Sequence, residues 1–307
     1  MKILVTGGAG FIGSNIVDGF IENGHDVIVV DNFSHGNKNN INKKARVYNI
    51  DIRDKDLYKV FEKEKPEVVC HHAAQISVPK SIDNPIEDAD INIIGSLNLL
   101  ECCRIYGVKK VTYPASAAIF GEPQYLPVDE SHPLDMMCGY GITKHTIEHY
   151  LETYSKLYGI KYTVMRYSNV YGPRQDSTGE GGVVAIFCEN MLENKVPLIF
   201  GDGTQTRDFV FVKDVVNANI IALTDLNNGI YNVATDTKIS VNELFNTVNI
   251  LLDKNMRPIY KEERKGDIKH SYMTYNKINK ECGWEPKYSL EEGLKQTINY
   301  YVSKKHE

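Results

Sequence analysis

The chain has 307 residues, of which 42% are hydrophobic and 24% charged, a balance that excludes disordered and collagen-like classes and suits one large domain or two ordinary ones. A net charge of −5 gives no reason to expect nucleic acid as a partner. No apolar run approaches the ~20 residues that span a bilayer, and none reads as a signal peptide, so a cytoplasmic protein without a membrane partner is expected.

Six cysteines (Cys70, Cys102, Cys103, Cys138, Cys188 and Cys282) show no C-x-x-C spacing and no histidines at zinc-site intervals. They read as reduced thiols, and no metal is expected.

In chain order, the strand Ile3–Val5 leads into Gly7, Gly10 and Gly13 and a helix over Phe11–Asn23. Glycine at these three places permits a tight turn, close approach of a pyrophosphate, and close packing of helix on strand. The phosphates would sit on the amides of Phe11 and Ile12 at the helix N-terminus. A second strand, Val27–Val30, ends in Asp31. A carboxylate there accepts hydrogen bonds from ribose hydroxyls and repels a 2′-phosphate, which favours NAD over NADP. Lys38, Lys43 and Lys44 further along the loop soften that preference. A third strand, read over Val47–Ile50, is ended by Asp51-Ile52, placed to flank the adenine.

Helices Asp54–Lys63, Pro85–Tyr106 and Tyr140–Tyr158 then alternate with strands Val68–Cys70, Lys110–Tyr113 and Tyr162–Met165. Gly24, Gly107 and Gly159 fall where helices should stop. Repeated strand–helix alternation predicts an α/β fold, a Rossmann-type doubly wound parallel sheet over residues 1–166 with a later crossover near 208–235. Residues 167–307 read as a smaller α/β substrate-binding lobe. Gly172-Pro173 and Ser177 to Gly182 suggest exposed loops there. Beyond them come strands Leu198–Phe200, Asp208–Val212 and Ile230–Val233, with helices Asp214–Thr224, Val241–Leu252 and Leu290–Tyr301.

Tyr140 and Lys144 lie one helical turn apart on one face. A phenol with an ordinary pKa of ~10 needs nearby positive charge to act as a base near neutrality, which Lys144 and an oxidised nicotinamide would supply. The same spacing also starts from Tyr106, Tyr300 and Tyr301. Only the Tyr140 pair opens a helix after a strand end that carries a serine, Ser116.

G-G-A-G-F-I-G, Asp31-Asn32, S-A-A-I-F-G from Ser116, Y-x-x-x-K from Tyr140 and R-Y-S-N-V-Y-G-P-R from Arg166 resemble extended short-chain dehydrogenases/reductases. G-D-G-T-Q-T-R-D-F from Gly201, R-K-G-D from Arg264 and G-W-E-P-K-Y-S-L-E-E-G-L from Gly283 extend the likeness over essentially the whole chain. Within that NAD-dependent epimerase/dehydratase family, the pattern is most similar to the compact bacterial and archaeal UDP-glucose 4-epimerases.

The resemblance implies Tyr140 as the base, Lys144 as its electrostatic partner and ribose ligand, and Ser116 as a hydroxyl binding the reacting sugar oxygen. It adds Asn32, Asn92 and the His72-Ala73-Ala74 turn to the cofactor site. It implies Asn169 at the UDP phosphates, Phe200 on uracil, Arg207 on phosphate, and Arg264 with Asp267 at the UDP end. Arginine suits a diphosphate because its planar fork donates to two oxygens at once. Cys138-Gly139 stands where relatives carry Ser-Pro, Thr143 replaces a common serine, and Pro114-Ala115 precedes Ser116 where a second serine is frequent.

Ala117 and Ala118 occupy the stretch where related dehydratases carry an Asp-Glu pair, and alanine offers neither acid nor base for removing water. The expected chemistry is therefore oxidation, 4-keto sugar rotation and re-reduction at C4, interconverting UDP-glucose and UDP-galactose. Ser271, where relatives restrict the sugar pocket with a tyrosine, keeps UDP-GlcNAc/UDP-GalNAc, or a UDP-uronate, open as the substrate. A non-catalytic NAD-binding sensor is a more distant alternative. Ile147, Tyr150, Leu151, Tyr154, Leu157 and Tyr158 form an apolar-aromatic face at helical spacing. It packs either on the chain's own sheet or, as the resemblance implies, in a homodimer.

Overall fold

The computed structural model describes residues 1–177, 182–264 and 267–305. Most of the loop expected between Ser177 and Gly182, and the Lys265-Gly266 centre of R-K-G-D, lie outside the described residues.

Strand β1 (Lys2–Thr6) turns through the glycines into α1 (Phe11–Glu22), followed by β2 (Asp26–Asp31), β3 (Arg46–Asn49), α2 (Leu57–Glu64) and β4 (Val68–His71). Strand β3 stops at Asn49, so Asp51 and Ile52 lie beyond it rather than at its end. Two short helices follow, α3 (Val78–Asp83) and α4 (Pro85–Ala89). The Ser77 and Asn84 side chains cap them, and each has a proline in its first turn, where a missing N–H costs nothing. Where one regular helix was expected over Pro85–Tyr106, α4 runs on through a π-helical turn (Asp90–Ile94) into α5 (Gly95–Ile105). Next come β5 (Lys110–Ser116), α6 (Gly139–Tyr158) and β6 (Lys161–Tyr167). Gly159 ends α6 in the left-handed conformation at φ 72°.

The remaining elements are β7 (Asn169–Tyr171), α7 (Val183–Leu192), β8 (Leu198–Phe200), β9 (Thr206–Arg207), β10 (Phe209–Phe211), α8 (Val212–Ala222) and β11 (Gly229–Val233). They are followed by β12 (Ile239–Ser240), α9 (Val241–Leu251), β13 (Ile259–Lys261), α10 (Asn276–Cys282) and α11 (Leu290–Lys304).

The chain divides into two compact units, residues 1–121, 134–166 and 216–231 in the first, and 122–133, 167–215 and 232–307 in the second. The first is built on a seven-stranded sheet of order β11-β6-β5-β4-β1-β2-β3, in which β3–β2, β2–β1, β1–β4 and β4–β5 pair in parallel. This is the doubly wound arrangement that the sequence predicts.

Alternation along β1 sends Leu4 to one face, with α2, α5 and α6, and Ile3 and Val5 to the other, with α1 and α8. Both faces are covered, which is why the strands read as near-continuous apolar runs. Within α6, Ile147 and Leu151 are buried in this core and Tyr150 and Tyr154 pack against it, so most of the apolar-aromatic face packs on the chain's own sheet. Leu157 and Tyr158 remain exposed.

In the second unit β7 pairs with β10 and β8 with β13, both parallel, while β9 and β12 are antiparallel. Trp284 is fully buried there, and its indole N–H donates to the Asp214 carbonyl at 3.3 Å.

Candidate active site

The strand order reverses between β1 and β4, and the turns leaving those strands meet there. Gly7, at φ +68°, lies so close to the next strand's turn that an added Cβ would stand 2.7 Å from the Ala73 nitrogen and 2.8 Å from the His72 carbonyl carbon. A Cβ on Gly13 would stand 2.1 Å from the Gly7 oxygen, which no side chain tolerates. Gly10 caps α1 through its backbone, with no side-chain cap, so the amides of the first turn, at Phe11 and Ile12, face outward from the helix. Thr6 ties the two turns together. Its hydroxyl bonds His71 Nδ1 at 2.7 Å and accepts the Ala73 N–H at 3.1 Å.

Asp31 is pinned at the tip of β2, one carboxylate oxygen accepting the Ala9 N–H at 2.9 Å and the other the Phe33 N–H at 2.8 Å. Asn32 reaches across to donate to Asp51 at 2.8 Å. Asp51 in turn chelates Arg53, whose guanidinium hydrogen bonds lead the causes that hold its carboxyl well below the ordinary range. The buried Ile52 packs under Gly95. Lys38 and Lys43 line an open recess beside Phe33, and Lys38 lies 5.5 Å from that ring's centre.

Burial holds the His71 and His72 imidazoles down to about 3, with Lys144 adding to the effect, so both are neutral. Asn92, in the π-helical turn, has its amide engaged within the fold. It accepts from the Gln75 N–H at 2.8 Å and donates toward the Gln75 carbonyl, Asp88 and Thr143 at 3.0–3.1 Å. Thr143 also donates to Asp88 at 3.0 Å, so this network fixes the opening turn of α6. Gly139 lets that turn approach α3, since a Cβ there would sit 2.9 Å from the Ser81 carbonyl oxygen.

Ser116 ends β5, and Tyr140 and Lys144 stand one turn apart at the start of α6. Burial pushes the Tyr140 phenol up to about 12, opposed by its hydrogen bond with the Ser116 hydroxyl. Burial also brings the Lys144 ammonium down to about 7, against the favourable charges of Glu148 and Asp88. Lys144 is 4% exposed and lies over the Tyr113 ring, 4.3 Å from its centre. The lysine's charge is thus supported from below by an aromatic face and a buried carboxylate. Ala117 and Ala118 follow in a single 3₁₀ turn, and Ala118 donates its N–H to Ser116 Oγ at 3.2 Å.

In the second unit, Asn169 donates through its side chain to the Asp208 carbonyl at 3.1 Å. Phe200 and Asp267 line a cavity of about 180 Å³ together with Gln205, Glu263 and Lys269. The Arg264 guanidinium covers the Phe200 ring at 4.0 Å from its centre. Arg207 donates to the Thr206 carbonyl at 2.9 Å, and burial lowers its pKa despite the charges of Asp267 and Glu122. Ser271 is half-buried, its N–H bound to the Thr206 carbonyl at 3.1 Å.

The chain matches the NAD dependent epimerase/dehydratase family over residues 3–234. It belongs to that family. A Methanocaldococcus jannaschii protein provisionally named UDP-glucose 4-epimerase is 50% identical over 97% of this chain and 97% of its own. The crystal structure of UDP-glucose 4-epimerase with UDP-glucose from Thermotoga maritima superposes with a TM-score of 0.97 at 48% identity, over 99% of each chain. That of the Thermus thermophilus UDP-glucose 4-epimerase complexed with NAD gives 0.93 at 39% identity, over 98% of this chain and 99% of that one.

The family's cofactor fits the first unit. The glycine cradle leaves no room for a Cβ where a pyrophosphate must approach, and Asp31 sits at the strand tip where a ribose is recognised. Motif reading missed Thr6, Asp88, Tyr113 and Glu148, which position the groups named above. Glu148 alone left a sequence signal, being four residues beyond Lys144 on the same helical face.

Proposed function

We propose that this chain interconverts UDP-glucose and UDP-galactose by inverting C4 of the hexose. The observation that carries the reading is the half-buried, hydrogen-bonded hydroxyl pair Ser116–Tyr140 beside Lys144, followed by two alanines that supply no acid or base for a second reaction. Tyr140 takes the proton of the C4 hydroxyl and later returns it. Ser116 hydrogen-bonds the same sugar oxygen, and Lys144, when protonated, favours the phenolate. NAD, held by Gly7, Gly10, Gly13, Phe11, Ile12 and Asp31, supplies reversible oxidation at C4 and is unchanged over a full cycle. The 4-keto sugar turns over about its UDP anchor between the two half-reactions. Asn169, Phe200, Arg207, Arg264 and Asp267 are assigned to the UDP portion.

Tyr140→Phe in a coupled UDP-galactose assay is expected to cost ~10²–10⁴-fold in turnover, the usual contribution of a positioned acid–base group. A variant that kept most of its turnover would remove the assignment. The small side chain of Ser271 favours a second reading, UDP-GlcNAc/UDP-GalNAc interconversion, and a panel of glucose, N-acetylglucosamine and uronate substrates decides between them.

Ile82, Ile86, Ile94 and Ile142, on α3, α4, the π-helical turn and α6, are 50–82% exposed. α3, α4 and the π-helical turn each pack on α6, and exposed apolar side chains on such neighbouring helices support a homodimer. A monomeric mass by light scattering at micromolar concentration would refute that.

A further inference from the structure

We propose that Arg53, braced by Asp90, is a positioning residue that aims the Asp51 carboxylate at the 6-amino group of the cofactor's adenine and so selects the base. This rests on assigning Asp51 to the adenine end of NAD, and it holds whichever sugar is epimerised.

Asp31 lies opposite Asn49 where β2 and β3 pair, and Asn32 and Asp51 meet just beyond. Asp51 is thereby next to the carboxylate assigned to the ribose. Because β3 has already ended, no strand ladder fixes the segment from Asp51 to Asp54. Side chains fix it instead. Asn98 of α5 donates to the Ile52 carbonyl at 2.7 Å and to the Asp54 carbonyl at 3.1 Å. Gly95 lets that helix close on the segment, since a Cβ there would stand 2.8 Å from the Ile52 side chain and 3.3 Å from the Arg53 stem.

Arg53 then grips the carboxylate three times. Its Nε donates to one oxygen at 2.9 Å, a terminal guanidinium nitrogen to the other at 2.8 Å, and its backbone N–H to the first at 2.9 Å. The other terminal nitrogen donates to Asp90, in the π-helical turn, at 2.8 Å. A planar fork held from both sides cannot swing, so the plane of the Asp51 carboxylate is set before a ligand arrives.

An ionised carboxylate offers about four lone-pair sites. Arg53 fills three of those on Asp51, and the amide of the exposed Asn32 fills the fourth at 2.8 Å. Asn32 is therefore the donor that a ligand can replace, and what replaces it must itself donate. The 6-amino group of adenine does so. Hypoxanthine carries a carbonyl oxygen at that position, an acceptor that a carboxylate repels. The Asp51 side chain is 25% exposed, which leaves it within reach.

The test is calorimetric titration of cofactor-stripped protein with NAD and with nicotinamide hypoxanthine dinucleotide. Wild type is expected to bind NAD at least ~10-fold more tightly, the scale of one hydrogen bond to a charged group. Asp51→Ala should abolish the preference. Arg53→Met and Asp90→Ala leave the carboxylate in place but free to turn, and each should reduce the preference by at least ~3-fold. Arg53→Lys keeps the charge without the fork and should restore little of it. If Asp51→Ala removes the preference while Arg53→Met and Asp90→Ala keep it, or weaken both dinucleotides equally, Arg53 does not aim the carboxylate and the proposal falls. A wild type without preference, or a preference that survives Asp51→Ala, removes Asp51 from the adenine end and the proposal with it. Should Arg53→Met fail to fold, Asp90→Ala decides alone, because the Asp90 side chain is 47% exposed.

Discussion

Replacing Lys144 by methionine should stabilise the protein while abolishing its chemistry. Burial holds the ammonium at about 7 against an ordinary value of 10.5, a shift that corresponds to ~5 kcal/mol of destabilisation when the charge is present in the fold. Desolvation outweighs the favourable charges of Glu148 and Asp88, which act in the opposite direction.

Its pH dependence follows from which state holds the proton. Below about 7 both folded and unfolded chains are protonated and the penalty is complete. As pH rises from there to 10.5 only the unfolded chain keeps the proton, and the penalty shrinks toward zero at up to ~1.4 kcal/mol per unit. Lys144→Met, which keeps most of the apolar stem, should therefore be the more stable protein at pH ~7 and lose that advantage by pH ~10.

Urea unfolding of the cofactor-stripped wild type and variant at several values across that window measures the difference directly. His71 and His72, held at about 3, do not titrate within it. A difference that does not change with pH, or a variant that is less stable at neutrality, would refute the reasoning.

Gly13→Ala should lose retained nucleotide on gel filtration and at least ~2 kcal/mol of stability, because the new methyl meets backbone that cannot retreat. Arg264→Ala uncovers the Phe200 ring and removes a cation from the second unit. It should raise KM for the UDP-sugar ~10-fold while leaving kcat within about a factor of two, as the loss of a charged contact distant from the reacting carbon does. A kcat that fell in step with KM would show that Arg264 acts on the chemistry.

The doubly wound sheet was legible because β1, β2, β4 and β5 are buried on both faces and announce themselves as β-branched runs. Gly7, Gly10 and Gly13 were legible because their spacing is a steric requirement, and the turn at Ala73 shows what imposes it. Asp51 and Ile52 were placed one step wrong because β3 yields at Asn49, where Asp51 folds back onto Arg53 instead of extending the strand. Strands of two or three residues such as β7, β9 and β12 carry no periodicity, and only their pairing defines them. The hydrogen-bond partners of Asn92 were hidden for another reason. Its partners Gln75, Asp88 and Thr143 come from separate segments, and no local pattern connects them. Likewise the Tyr140–Lys144 spacing could not show that the lysine rests on Tyr113, because that contact joins a strand to a helix.

The π-helical turn between α4 and α5 bears on how this chain tolerates change in length. A wide turn is equivalent to one residue inserted into a regular helix, and it rotates everything beyond it by roughly 100° relative to what precedes it. Before and within the turn the inward side must carry polar groups, Asp88 and Asn92, that hold the start of α6; after it the inward side must carry Leu99, Leu100, Cys102 and Cys103 against the sheet. A regular helix presents one stripe and cannot serve both demands in the same phase. Deleting one residue within Asp90–Ile94 would leave an ordinary helix with ordinary propensity, yet it would turn one of these two sets away from its partners. This stretch should therefore accept substitution more readily than any change in the number of its residues.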